Sequence, residues 1–140
     1  MIVVLVRHAE PVATGGDNPG LSAAGRRRAA TLAKMLAGAG ITAIFTSELR
    51  RTKETAAPLA GLLSITPLEI AGAPAAAATQ IKAAGKRVLV VGHTNTVPPI
   101  IEALGGPASV VINANEFDRM FVLQVPAHGA ESLLTLRYGA

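Results

Sequence analysis

Apolar runs short enough for buried strands alternate with longer helix-patterned runs along most of this chain, and that alternation restricts the fold more than any other feature. Strand-like runs cover 2–6, 42–46, 65–70 and 87–91, and helix-like runs cover 22–37, 49–62, 74–84 and 95–104. A strand followed by a helix and then another strand favours a parallel, right-handed crossover, with helices covering both faces of the sheet. After Gly105-Gly106-Pro107 the pattern changes. Met120 to Val125 and Leu133 to Arg137 have only the turn-like Pro126 to Glu131 between them, which reads as a hairpin. The expected fold class is therefore α/β, a three-layer α/β/α sandwich with a mostly parallel central sheet and an antiparallel C-terminal element. At 140 residues the chain reads as a single domain, 1–140. With three Phe, one Tyr and no Trp, its core must be built from Val, Ile, Leu and Ala.

Composition removes several function classes. There is no Cys, hence no disulfide, thiolate metal site or Cys nucleophile. The three His are too scattered in sequence to form a metal cluster, and no cofactor motif is present, so neither metal nor cofactor is expected. The net charge of +4 would suit an anionic partner, but the basic residues lack aromatic interleaving and any nucleic-acid motif. Arg26, Arg27 and Arg28 fan around one predicted helix and read as a solvated cluster. Neither nucleic acid nor membrane is expected as a partner. The opening apolar run is too short to span a bilayer and lacks a secretory leader's features, so the chain reads as cytoplasmic, the alternative being export with a removed leader. The sequence assigns no oligomeric state.

Chemistry gathers where strands end. Ile2-Val3-Val4-Leu5-Val6 delivers Arg7 and His8, followed by Ala9-Glu10. Ala43-Ile44-Phe45 runs into Thr46-Ser47-Glu48-Leu49-Arg50-Arg51-Thr52-Lys53-Glu54-Thr55, and Val88-Leu89-Val90-Val91 runs into Gly92-His93-Thr94-Asn95. Open α/β sheets keep their sites at the C-terminal ends of strands. Arg supplies a forked, permanent charge suited to phosphate, and His supplies an imidazole able to act as nucleophile near neutral pH. Phosphoryl transfer is the chemistry these side chains suit.

These three ordered motifs resemble those of the histidine phosphatase superfamily, the phosphoglycerate mutase-like fold, and especially its short members similar to bacterial phosphohistidine phosphatases. Arg7-His8-Ala9 matches the Arg-His signature, Ser47 to Thr55 matches the Ser-x-Leu-x-Arg-x-x-x-Thr pattern, and Gly92-His93 matches the Gly-His signature. The register of the second match selects Arg51 over Arg50. The resemblance implies a metal-independent phosphatase that forms a phosphohistidine on His8 and then hydrolyses it, with Arg7 and Arg51 gripping the phosphoryl oxygens and His93 as a second imidazole contact. Thr94 or Asn95 would cap the following helix and add backbone N–H groups to the phosphate site.

Leaving-group protonation points to Glu69, since larger family members draw their acid from the segment after this strand; a solvated strand-end carboxylate is the equal alternative. Glu10 reads as a partner that orients the arginines. Residues 10–20 are turn-rich and read as a mobile loop over the pocket, within which Asn18 corresponds to an Asn that contacts phosphate in mutase relatives. The short interval between Arg51 and His93 leaves no room for the helical cover of larger members, so an open site is expected. The expected partner is a phosphorylated substrate, a phosphohistidine protein or a small phosphomonoester. The alternative is a catalytically weak phosphate-binding module with the same pocket.

Overall fold

The computed structural model describes residues 1–139. Its strands are β1 (Ile2–Arg7), β2 (Ala43–Thr46), β3 (Leu68–Glu69), β4 (Arg87–Gly92), β5 (Arg119–Gln124) and β6 (Leu133–Arg137). Its helices are α1 (Ala23–Leu36), α2 (Arg50–Leu63), α3 (Pro74–Ala83) and α4 (Val97–Ala103). The strands form one sheet in the order β3-β2-β4-β1-β5-β6. β1 with β4, β2 with β4, and β2 with β3 pair parallel. β5 runs antiparallel to both β1 and β6. The protein is thus α/β with a mixed sheet, as the alternating pattern implies.

Strand parity divides the core. Val3 and Leu5 of β1, with Phe45, Val88, Val90, Phe121 and Leu123, pack under α3 and α4. Val4 and Val6, with Ile44, Leu89, Val91 and Met120, pack under α1 and α2. Both faces of the inner strands are buried, which is why they read as unbroken apolar runs. The chain moves outward from β1 to β2 to β3 with α1 and α2 on one face, then doubles back to β4 with α3 on the other. Right-handed crossovers require that change of face when the direction reverses. The reversal opens a crevice at the C-terminal ends of β1 and β4, where the helices that follow them leave on opposite faces.

Several boundaries depart from the sequence pattern. The 65–70 run pairs only over Leu68–Glu69, because Pro67 has no N–H for a ladder. The fourth helix begins at Val97, after a turn in which the Thr96 and Val97 N–H groups both donate to the His93 carbonyl. Its N-cap is Thr96, so neither Thr94 nor Asn95 caps it.

Nor is Arg28 solvated. Its guanidinium donates to both Glu10 carboxylate oxygens (2.8 and 3.1 Å) and to the Tyr138 carbonyl, fastening the end of β6 to α1 and to the segment after β1. Among the described residues no helix is long and apolar enough to cross a membrane.

Candidate active site

His8 follows the last residue of β1, and its N–H donates to the Gly92 carbonyl (2.8 Å), carrying the β1–β4 ladder one residue further. The side chain is buried, with 4% of its surface exposed. Nδ1 lies 2.8 Å from the Ala9 carbonyl oxygen. A carbonyl only accepts, so Nδ1 carries the ring proton and Nε2 keeps its lone pair. Ala9 is itself held, its N–H donating to Thr55 Oγ1 (2.8 Å) while the Thr55 hydroxyl donates to the Arg51 carbonyl (2.7 Å). Burial pushes the His8 pKa down to about 4. The Ala9 bond opposes that shift, and the positive charges of Arg7 and Arg51 and nearby His93 add to it. The ring is neutral at physiological pH.

Arg7 is anchored from the far end of the chain. One of its terminal nitrogens donates to the carbonyls of Ala114 and Glu116 (both 2.8 Å), and its guanidinium sits 3.9 Å from the centroid of the Phe117 ring. Its Nε is buried without a partner, an orphan donor of the kind a bound anion satisfies. Burial and the neighbouring Arg51 charge both lower the Arg7 pKa, the signature of two cations held close together. The Arg51 side chain makes no hydrogen bond or ion pair among the described residues and lines the adjoining cavity. Glu10 lies near Arg7 but spends its carboxylate on Arg28. It therefore anchors α1 and bonds neither site arginine, contrary to the expectation that it orients them.

His93 approaches from β4, its ring centroid 5.2 Å from that of His8. Its Nε2 is hydrogen-bonded to Ser47 Oγ (2.9 Å), which also contacts Thr52 Oγ1 (2.9 Å), so the start of α2 fixes that edge of the ring. The His93 N–H donates to Thr96 Oγ1 (2.9 Å). A Cβ on Gly92 would lie 2.8 Å from that hydroxyl oxygen, which explains glycine at this tight turn. Burial and Arg51 lower the His93 pKa, while the Glu48 charge raises it against them.

Beside His93 and Arg51 a cavity of about 500 Å³ opens between β4, α4 and the β3–α3 connection. Ile70, Pro74 and Ile100 give it apolar walls, and Glu48 and Asn95 are polar groups at an exposed rim.

Arg7, His8, Arg51 and His93 thus come together at one end of the sheet. The other predicted site residues go elsewhere. Glu69 points its carboxylate at Lys53 (2.9 Å), both side chains about half exposed, and is not in the cavity wall. Asn18 Oδ1 accepts from the Arg50 N–H (2.9 Å) and serves α2 as a remote cap. No residue of 10–20 lines the cavity; that loop is closed at its neck by Val12 N–H to the Gly20 carbonyl and Ser22 N–H to the Glu10 carbonyl (both 2.9 Å). Asn95 lines the cavity and Thr94 does not. Ser47 and Thr55 lay inside the matched motif without an assigned task, and Glu48 occupied one of its free positions. The Ala114 to Phe117 cradle for Arg7 had no sequence signal, because it is formed by backbone carbonyls and one ring. Among the described residues, no group of three or more His, Cys, Asp or Glu is placed to hold a metal ion.

A sheet-end crevice that pairs two guanidinium groups with two close imidazoles is suited to binding a phosphoryl group. Residues 3–73 match the histidine phosphatase superfamily (branch 1), and the chain belongs to that superfamily. The PE-PGRS family protein PE_PGRS11 of Mycobacterium tuberculosis (strain ATCC 25618 / H37Rv) is 35% identical over 136 residues, covering 86% of this chain. The chain spans about a quarter, 23%, of that relative's length.

Two solved structures share the fold. The mycobacterial glucosyl-3-phosphoglycerate phosphatase complexed with VO3 superposes with a TM-score of 0.71 at 15% identity, over 99% of this chain and 98% of that one. The protein histidine phosphatase SixA complexed with tungstate gives 0.70 at 16% identity, over 97% and 94%.

Proposed function

We propose that this protein hydrolyses a phosphohistidine protein or a small phosphomonoester through a covalent intermediate on His8. The Nε2 lone pair attacks phosphorus, the bond from phosphorus to the leaving oxygen or nitrogen breaks, and the leaving group departs with that electron pair and takes up a proton from solvent. Water then attacks phosphorus, the phosphorus–Nε2 bond breaks, and inorganic phosphate is released. Arg7 Nε and the unpaired Arg51 guanidinium hold the equatorial oxygens, and the Nδ1 edge of His93 gives a further contact. Thr94 and Asn95 bring the turn after β4 to the same end of the sheet.

The observation that carries this reading is the Nδ1 bond of His8 to the Ala9 carbonyl, which supports a neutral ring with its lone pair on Nε2. The exposed Glu69–Lys53 pair supports a site that works without a strong acid, which suits leaving groups that need little protonation.

The test is phosphate release from a phosphohistidine peptide and an aryl phosphate, in chelator, with His8→Ala as control. Release that is lost in His8→Ala, with an acid-labile phosphoenzyme trapped on rapid quenching, is expected. Binding of phosphate with no release from either substrate would replace this reading by that of a phosphate-binding module.

A further inference from the structure

The cavity beside the phosphoryl site holds one charge of each sign. Its wall holds two permanently or readily charged side chains besides the half-buried His93, namely Arg51 and Glu48. Once a phosphoryl group engages Arg51, as the phosphatase reading requires, Glu48 is the charged side chain left in the cavity wall. The flanking charges do not cancel it, because they are already taken: Arg50 pairs with Glu54 (3.0 Å) and Lys53 with Glu69 (2.9 Å). Glu48 is also near enough to His93 to act on it electrostatically, so its field reaches the reacting end of the cavity. Elsewhere in the wall, Ile70, Pro74 and Ile100 offer surface for carbon, and among the described residues no second cation lines the cavity for an anionic leaving group.

We propose that Glu48 is a specificity residue that makes this cavity select phosphoryl donors whose leaving group is positively charged, and disfavour those that carry a second anion. The inference rests on the phosphatase reading for which group occupies Arg51. Two sources offer that chemistry: a small phosphomonoester of an amino alcohol, and the ring of a phosphohistidine, which is cationic when its second nitrogen is protonated. An ionised Glu48 assists either one by attraction, without having to donate a proton itself.

The experiment compares kcat/KM for phosphoethanolamine, a phosphohistidine peptide and phosphoglycolate, each relative to an aryl phosphate, in the wild type, Glu48→Gln and Glu48→Asp. An exposed carboxylate is partly screened, so the expected preference for at least one cationic substrate over phosphoglycolate is roughly tenfold, falling to about twofold in Glu48→Gln and largely retained in Glu48→Asp. Preference for phosphoethanolamine assigns the small-molecule source, and preference for the peptide the protein source. Raising the salt concentration should shrink the ratio in the wild type and leave it nearly flat in Glu48→Gln. A ratio that is the same in wild type and Glu48→Gln overturns the proposal while leaving the phosphatase reading intact. If none of the four substrates is hydrolysed, the phosphatase reading fails on its own, and calorimetric binding of phosphoethanolamine and phosphoglycolate to the same three proteins decides the selectivity. Equal affinity, or no binding of either, then overturns it.

Discussion

At His8 the ring proton is placed by a neighbour that can only accept, and the ring's charge is suppressed by burial beside two guanidinium groups. In an NMR titration the His8 ring is expected to stay neutral through pH 6 and to protonate near pH 4. A His8 midpoint near 6.5 would show that burial does not act on it. Thr55 supports this arrangement from below. Thr55→Val keeps the shape but leaves the Ala9 N–H buried without its acceptor, so unfolding free energy should fall by roughly 1–3 kcal/mol in urea denaturation. If the Ala9 carbonyl moves as a result, phosphate release falls as well. The four residues that the structure brings together, Arg7, His8, Arg51 and His93, were legible because they sit at or just after strand ends in recognisable spacing. Glu69 and Asn18 were not, since a one-residue rotation decides whether a strand-end or loop side chain meets a pocket or a neighbouring lysine or helix end.

Among the elements, α2 does the most positioning. Its first turns supply Arg51, Thr52 and Thr55, yet its N-cap residue Leu49 has no side-chain bond to offer. Asn18 fills that role from across the loop, which ties the 10–20 segment to the helix that holds Arg51. Asn18→Ala is expected to lower stability by about 1 kcal/mol, with faster amide exchange concentrated at Arg50. Unchanged exchange there would mean that the contact does not cap the helix in solution.

The alternation of strands and helices was legible from periodicity alone, and so was the C-terminal hairpin. Lengths were less so. Pro67 shortens β3, and the Thr96 turn delays α4, both through hydrogen-bond constraints that an apolar pattern does not record.

Over the whole molecule, the Arg and His cluster depends on segments that are distant in sequence. β1 and β4 meet at the topological reversal, the 114–117 segment reaches back to hold Arg7, and Arg28 clasps Glu10 and the Tyr138 carbonyl. Such long-range ties give the fold a pH dependence. Folded His8 resists protonation until about pH 4, whereas an unfolded histidine takes a proton near 6.5, so stability should decline as pH falls through that window, by up to roughly 3 kcal/mol. Glu10 adds to the same trend: burial alone would raise its pKa, but the Arg28 bonds outweigh this and hold it low, and their contribution fades as the carboxylate protonates. Denaturation midpoints measured across this range should show the decline in the wild type and a shallower one in His8→Gln. Equal slopes would remove His8 as its source.

The β3–α3 connection, with Ile70 and Gly72 leading into Pro74, walls the cavity but supplies none of the four side chains grouped around the phosphoryl position. Changes there alter which molecule fits without disturbing the Arg and His residues at the strand ends. The part of the wall that shapes the cavity is thus carried by a different stretch of chain from the Arg and His residues, and the two can vary separately.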